Sequence, residues 1–290
     1  MMDVPQKTGL ADQLLIGIDQ NSVPPCPAIL QRVVNESQKP EPDLRQLATI
    51  VSGDVGIAAS LLKTVNSPFY GLPGKAHTVQ QAISLLGIRP TVNAVASLAL
   101  QQVLPPPPKL ERFWDGSMKI ARLSGWLAQK LGPAIKTSAD LAYTFALFRD
   151  AGIPLMLNRY PDYYTTLEEA NNCPERLFTQ IEEDRHATSH ALVGYLLAQS
   201  WWLSPNTCTA VRYHHDLCMM SSHNRVLSKE AGELIALAQL AEHLLQHLTG
   251  QSQTREWCKM GTDILARLQL TDSAVQDLLE EARSLSLIDS

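Results

Sequence analysis

A chain of 290 residues, 45% hydrophobic and 18% charged, carries enough apolar mass for one large core or two modest lobes, and too much for a disordered polymer. Its formal net charge of -5 gives no basic field to draw in a phosphate backbone, so nucleic acid is excluded as the expected partner. The cysteines, Cys26, Cys173, Cys208, Cys218 and Cys258, are scattered and form no CxxC pair, which excludes a disulfide framework as the basis of the fold.

The first twenty residues, MMDVPQKTGLADQLLIGIDQ, have no basic start leading into an apolar core. The most apolar stretch, TVNAVASLAL at 91–100, is far short of the ~20 residues a spanning helix needs. No membrane attachment is expected, and a reducing, bacterial-type cytoplasm is the expected location. The first clear helix is DLRQLATIVS, with Asp43 as N-cap and Leu44, Leu47, Ala48 and Val51 at spacings of three and four. Gly53 ends it and Asp54 caps the next, whose apolar face is Ile57, Leu61, Leu62 and Val65. Asn66, followed by Ser67 and Pro68, stops that helix, and its side chain is expected to satisfy backbone groups left free at the helix end. Thr78 and Gln81 have the spacing of a capping box ahead of Ala82, Ile83, Leu85 and Leu86, with Gly87 as the stop and Pro90 in the first turn of the following helix.

The run Pro105 to Pro108 cannot continue a helix and favours a stiff extended spacer, so residues 105–109 are read as the linker after a helical lobe at 1–104. Longer amphipathic helices are expected over Phe113 to Leu131, Ala139 to Leu157, Thr188 to Trp202 and Pro205 to His215. A broad apolar face from Ser228 onward has Glu230 and Glu233 near its start, and a last helix runs from Thr271 to about Leu285. No run of alternating β-branched residues predicts a strand. The fold class is therefore all-α.

Among eight histidines, His186 and His190 are four apart, the spacing of two ligands on one helix face, and His214, His215 and Asp216 cluster at a helix end. Asp150 could complete a His and carboxylate centre. Against that, histidines at a helix C-terminus answer the local dipole, a carboxylate beside Arg149 forms an ion pair, and the structural role is favoured for His214 and His215. His243 and His247, also four apart, read as surface histidines. There is no GxGxxG, no GxxxxGK[ST] and no nucleophile on a recognisable elbow, so neither glycine-rich nucleotide binding nor a catalytic triad is indicated.

The order of several segments resembles the HDOD family, a regulatory relative of the HD-domain metal phosphohydrolases. These are SVPPCPAILQRVV, DLRQLATIVSGDVGIAASLLKTVNSPFYG, TVQQAISLLGI, FRDAG, HALVGYLLAQSWWLS and AVRYHHD. Asn66, Ser67, Phe69, Tyr70, Gly87 and Trp114 match the family's structural hallmarks. The resemblance runs over about residues 19 to 216. It implies a two-lobed helical architecture whose second lobe, 110–216, is a degenerate HD-like unit, with 217–290 a helical extension packed on it.

Carried over position by position, the resemblance marks a depleted metal site. The first expected histidine falls on Gly116 in WDGS, and the histidine of the His-Asp pair falls on Arg149, while its aspartate remains as Asp150. His190, His214 and His215 match expected histidines, and a late aspartate falls on Gln239 in ALAQLAEH. Arginine offers only donors and keeps its proton, so it cannot replace a histidine as ligand. What the resemblance implies is a non-catalytic signalling protein acting through a protein partner, with no cofactor and no bound metal. The alternatives are a degenerate metal-dependent phosphohydrolase using Asp150, His190, His214 and His215, and a small-ligand sensor using the vestigial pocket.

Overall fold

A computed structural model describes residues 23–67, 70, 74–107, 110–216, 227–250 and 253–284; the hallmark Phe69, as well as Pro108, Cys218 and His223, lies outside them. Among the described residues there is no strand. Proline, glycine and short polar residues set the helix boundaries. The first five helices are α1 (Ala28–Ser37), α2 (Leu44–Ser52), α3 (Val55–Val65), α4 (Val79–Leu86) and α5 (Ile88–Val103). Asp43 accepts from Arg45 N at 2.7 Å and Asp54 from Ile57 N at 2.9 Å, each satisfying an amide that the helix start leaves unpaired. Thr78 and Gln81 form the reciprocal capping box, and Gly87, at φ 80°, holds a left-handed conformation that only glycine takes without strain.

Asn66 does something other than cap its own helix. Its amide clamps a loop residue ten positions on, with Nδ2 donating to Ala76 O at 2.8 Å and Oδ1 accepting from Ala76 N at 2.7 Å. Ser67 performs the local task, donating to Thr64 O at 2.6 Å. Burial pushes the Tyr70 phenol above its ordinary range.

Beyond the prolines come α6 (Phe113–Leu131), α7 (Ala139–Phe148), α8 (Gly152–Arg159), α9 (Tyr163–Asn172), α10 (Phe178–His186), α11 (His190–Ser200) and α12 (Pro205–Tyr213). After them lie α13 (Lys229–Thr249), α14 (Glu256–Leu268) and α15 (Asp272–Arg283). The single helix expected over Ala139 to Leu157 is broken at Arg149, Asp150 and Ala151. Pro154 explains the break, because in a continuous helix it could not donate to Asp150 O and its ring would strike that carbonyl. Here it sits in the first turn of α8, and Asp150 O instead accepts from Ile153 N at 2.9 Å.

One apolar cluster unites both sides of the proline run: Leu47, Leu61 and Leu100 belong to the same buried core as Leu123, Phe148 and Leu237. Trp114 Nε1 donates to Leu104 O at 2.7 Å across the run, and Asn93 Nδ2 to Asp140 Oδ2 at 2.6 Å joins α5 to α7. A smaller cluster, including Tyr163, Phe178 and Ile181, packs beneath α8 to α11. Gly152 lets α8 approach α11: a Cβ there would run into the His190 carbonyl and lie 2.9 Å from Gly194 N. That close approach sets Asp150 beside His190.

Candidate functional site

Four side chains from three places in the chain converge. Asp150 lies in the α7–α8 break, His190 opens α11, and His214 and His215 follow the last turn of α12. One ligand atom from each lies within 4.8 Å of the others. His214 Nε2 is 3.3 Å from Asp150 Oδ1 and 3.2 Å from His190 Nε2, which is itself 3.6 Å from Asp150 Oδ1. The local helix-end role favoured for His214 is only half its function: Nδ1 bonds Val211 O at 2.8 Å while Nε2 faces the cluster.

His186 is not on a helix face with His190. The chain turns at Ala187, whose φ of 54° is left-handed, and α11 starts afresh after it. His186 bonds Thr166 Oγ1 at 2.9 Å instead. His243 is likewise no simple surface residue, because its ring stacks on Trp257 at 3.9 Å.

Three carboxylates that sequence reasoning did not single out complete the site. Glu182, on α10 and fully buried, holds His190 Nδ1 at 2.8 Å and also accepts from the Tyr163 hydroxyl. Glu256, at the start of α14, holds His215 Nδ1 at 2.7 Å and is paired with Lys259 Nζ at 2.8 Å. Carboxylates and carbonyls only accept, so the Nδ1 atoms of His190, His214 and His215 carry protons. Their Nε2 atoms are then left to face the cluster.

On α13 the residue that reaches the site is Glu242, not Gln239. Glu242 lines the cavity and accepts from Arg149 Nη2 at 3.1 Å. Gln239, three residues earlier, is buried and does not line it. The Arg149 guanidinium is 3% exposed and also donates from Nε to Asp150 Oδ2 at 3.0 Å. Gly116 lies on the cavity wall with no side chain to offer.

The electrostatics follow from these neighbours. Burial alone would raise Asp150, but Arg149 and then His214 hold it far below the usual carboxylate range. His214 is driven down to about 3 by burial and by His215. Burial would lower His190 too, yet Glu182 reverses the sign and raises it. Glu256 is lowered to about 2, its burial outweighed by His215 and Lys259. A proton on His190 Nε2 can therefore bridge to neutral His214 or to Asp150, which satisfies the cluster internally. A divalent cation on the four facing atoms would satisfy it equally. One carboxylate and three imidazoles fit one such cation, while Gly116 adds no further ligand and Arg149, on the far oxygen of Asp150, sets a fixed positive charge against it.

The sequence pattern described as the HDOD domain matches residues 23–217. A protein of Treponema pallidum (strain Nichols) is 26% identical over 218 residues, which is 73% of this chain but only 41% of that relative's length. Among solved structures, one described as a candidate phosphohydrolase from Shewanella amazonensis SB2B superposes with a TM-score of 0.70 at 20% identity, over 95% of this chain and 94% of its own. An HDOD domain protein from Geobacter sulfurreducens gives 0.59 at 21% identity, over 93% and 97%. One described as a candidate signal transduction protein from Marinobacter aquaeolei VT8 gives 0.67 at 22%, over 99% of this chain and 61% of that one. At these identities the solved structures establish the fold.

Proposed function

The chain belongs to the HDOD domain family, and from that membership and the buried guanidinium in its cavity we propose that it is a signalling and regulatory protein without phosphohydrolase activity. Arg149 carries the reading. Its guanidinium lies between Asp150 and Glu242 and supplies positive charge there, while offering neither an open coordination position nor an activated water. The raised His190, paired with Glu182, supports a cluster that is complete with protons alone. Output passes to a signalling protein partner through a surface made by the helices on both sides of residues 105–109, in a cytoplasmic setting.

One observation favours a second reading. The Nδ1 atoms of His190, His214 and His215 are all held by acceptors, the arrangement by which metal sites orient imidazole ligands. In that reading Asp150 and the three histidines hold one divalent cation, which would supply Lewis-acid polarisation of a bound oxygen, as in a degenerate phosphohydrolase. The remaining groups keep their roles: Glu182 and Glu256 orient imidazoles, and Arg149 holds the second oxygen of Asp150.

Metal content and turnover, measured on the same purified protein, separate the two. The regulatory reading expects clearly less than one equivalent of metal after dialysis, and no turnover of phosphomonoesters or phosphodiesters with Mn, Mg, Fe or Ni supplied. Stoichiometric metal with turnover abolished by Asp150→Ala establishes the hydrolase instead. Metal without turnover makes the cluster a sensing or structural site, and Arg149→His, which restores a missing ligand, is then the informative variant.

A further inference from the structure

The cavity above the cluster has a volume of about 750 Å³, inside the range of small-molecule sites. Its walls are largely apolar, with Leu110, Phe113, Ile120, Ile153 and Leu167 among the lining side chains. The polar end has one unusual property. Arg149 lines the cavity, its side chain is 3% exposed, and two of its three nitrogens are committed to Asp150 and Glu242. The third, Nη1, is buried with no hydrogen-bond partner among the described residues. A donor left so is costly, the more so on a charged group, and an acceptor oxygen would recover that cost. On the same cavity His215, whose Nδ1–H is taken by Glu256, offers Nε2 as an acceptor.

Charge decides which kind of oxygen suits this end. Arg149 is already balanced by two carboxylates, and the cavity is further lined by Glu111, Glu168 and Glu256, the last paired with Lys259, against one more cation, Arg112. A phosphate or carboxylate brought in would meet net negative charge, which is unfavourable. An uncharged carbonyl meets Nη1 without that repulsion. A carbonyl with an adjacent N–H also answers His215 Nε2, and an apolar body fills the remaining walls.

We infer that this cavity binds an uncharged small molecule that joins an amide or lactam group to an apolar body, with the amide oxygen on Arg149 Nη1. The inference rests on the non-hydrolytic reading of the pocket and names the chemical class of its input. A molecule of that class has no phosphate to lose, so Arg149 acts as a recognition residue for it.

The test uses benzamide as probe and benzoate as its matched anion, each titrated into the full chain at neutral pH with ligand-observed NMR. Expected is millimolar binding of benzamide, about tenfold tighter than benzoate because the anion meets the existing carboxylates. Ile153→Trp, which fills the apolar wall without touching the ion pairs, should remove binding, as should Arg149→Met. Thermal melts establish that each variant is folded. If Arg149→Met does not fold, the benzoate contrast and Ile153→Trp decide. Benzoate binding as well as benzamide, benzamide binding that survives Ile153→Trp, or no benzamide binding at millimolar concentration overturns the inference. These outcomes are separate from metal-dependent turnover, which would defeat the regulatory reading whether or not benzamide binds.

Discussion

Asn66 offers the sharpest test of how the family hallmark works, because its amide makes two bonds to one backbone residue. Asn66→Ala removes the donor to Ala76 O and the acceptor for Ala76 N together. Each bond contributes about 0.5–1.5 kcal/mol net, so the pair sets a loss of about 1–3 kcal/mol. Ala76 is 3% exposed, which keeps its stranded groups poorly hydrated. Asn66 itself is exposed, so water reaches the vacated side and holds the loss within that range. A loss of 2 kcal/mol lowers the thermal midpoint of a chain this large by about 4–8 °C. Urea unfolding followed by circular dichroism measures the free energy, and amide exchange at Ala76 reports the clamp directly. An unchanged urea midpoint with Ala76 N–H still protected would refute the clamp and return Asn66 to a local helix-end role.

Two further outcomes follow from the packing and the titrating groups. Gly152→Ala forces a methyl against the His190 carbonyl and Gly194 N; overpacking of this kind costs about 1–3 kcal/mol or more, and it should also shift the His190 and His214 imidazole resonances in NMR. A normal melt with unshifted imidazole signals would show that α8 and α11 can separate without disturbing the cluster. His243, stacked on Trp257, is lowered from 6.5 to about 4 by burial and then by His247. Between those values the unfolded chain binds the proton and the folded chain does not, so this residue's contribution to stability is complete above 6.5 and falls as pH drops toward 4. Urea midpoints of His243→Gln should therefore lose less than the parent across that window, and parallel curves would contradict the assignment.

The all-α class, the two aspartate N-caps, the capping box and the Gly87 stop were written in local sequence, since 3.6-residue periodicity and cap chemistry act within one or two turns. Arg149 and Gly116 were singled out for a different reason: each stands where the resemblance places a histidine, and the structure puts both on the wall of the cavity that Asp150 and His190 also line. Tertiary structure alone decided who completes the site. Glu182, Glu242 and Glu256 reach it from three helices, and nothing adjacent in sequence distinguishes them from solvated glutamates. Spacing misled at His186, where a left-handed Ala187 breaks the helix that would have put it beside His190. At Gln239 it was the resemblance that named the residue, and on α13 it is Glu242 that lines the cavity and meets Arg149. A local pattern fixes which face of a helix is apolar; which polar residue on it meets a buried guanidinium depends on how distant helices pack, here α13 against α6, α7 and α12, just as the close approach of α8 to α11 at Gly152 decides that Asp150 meets His190.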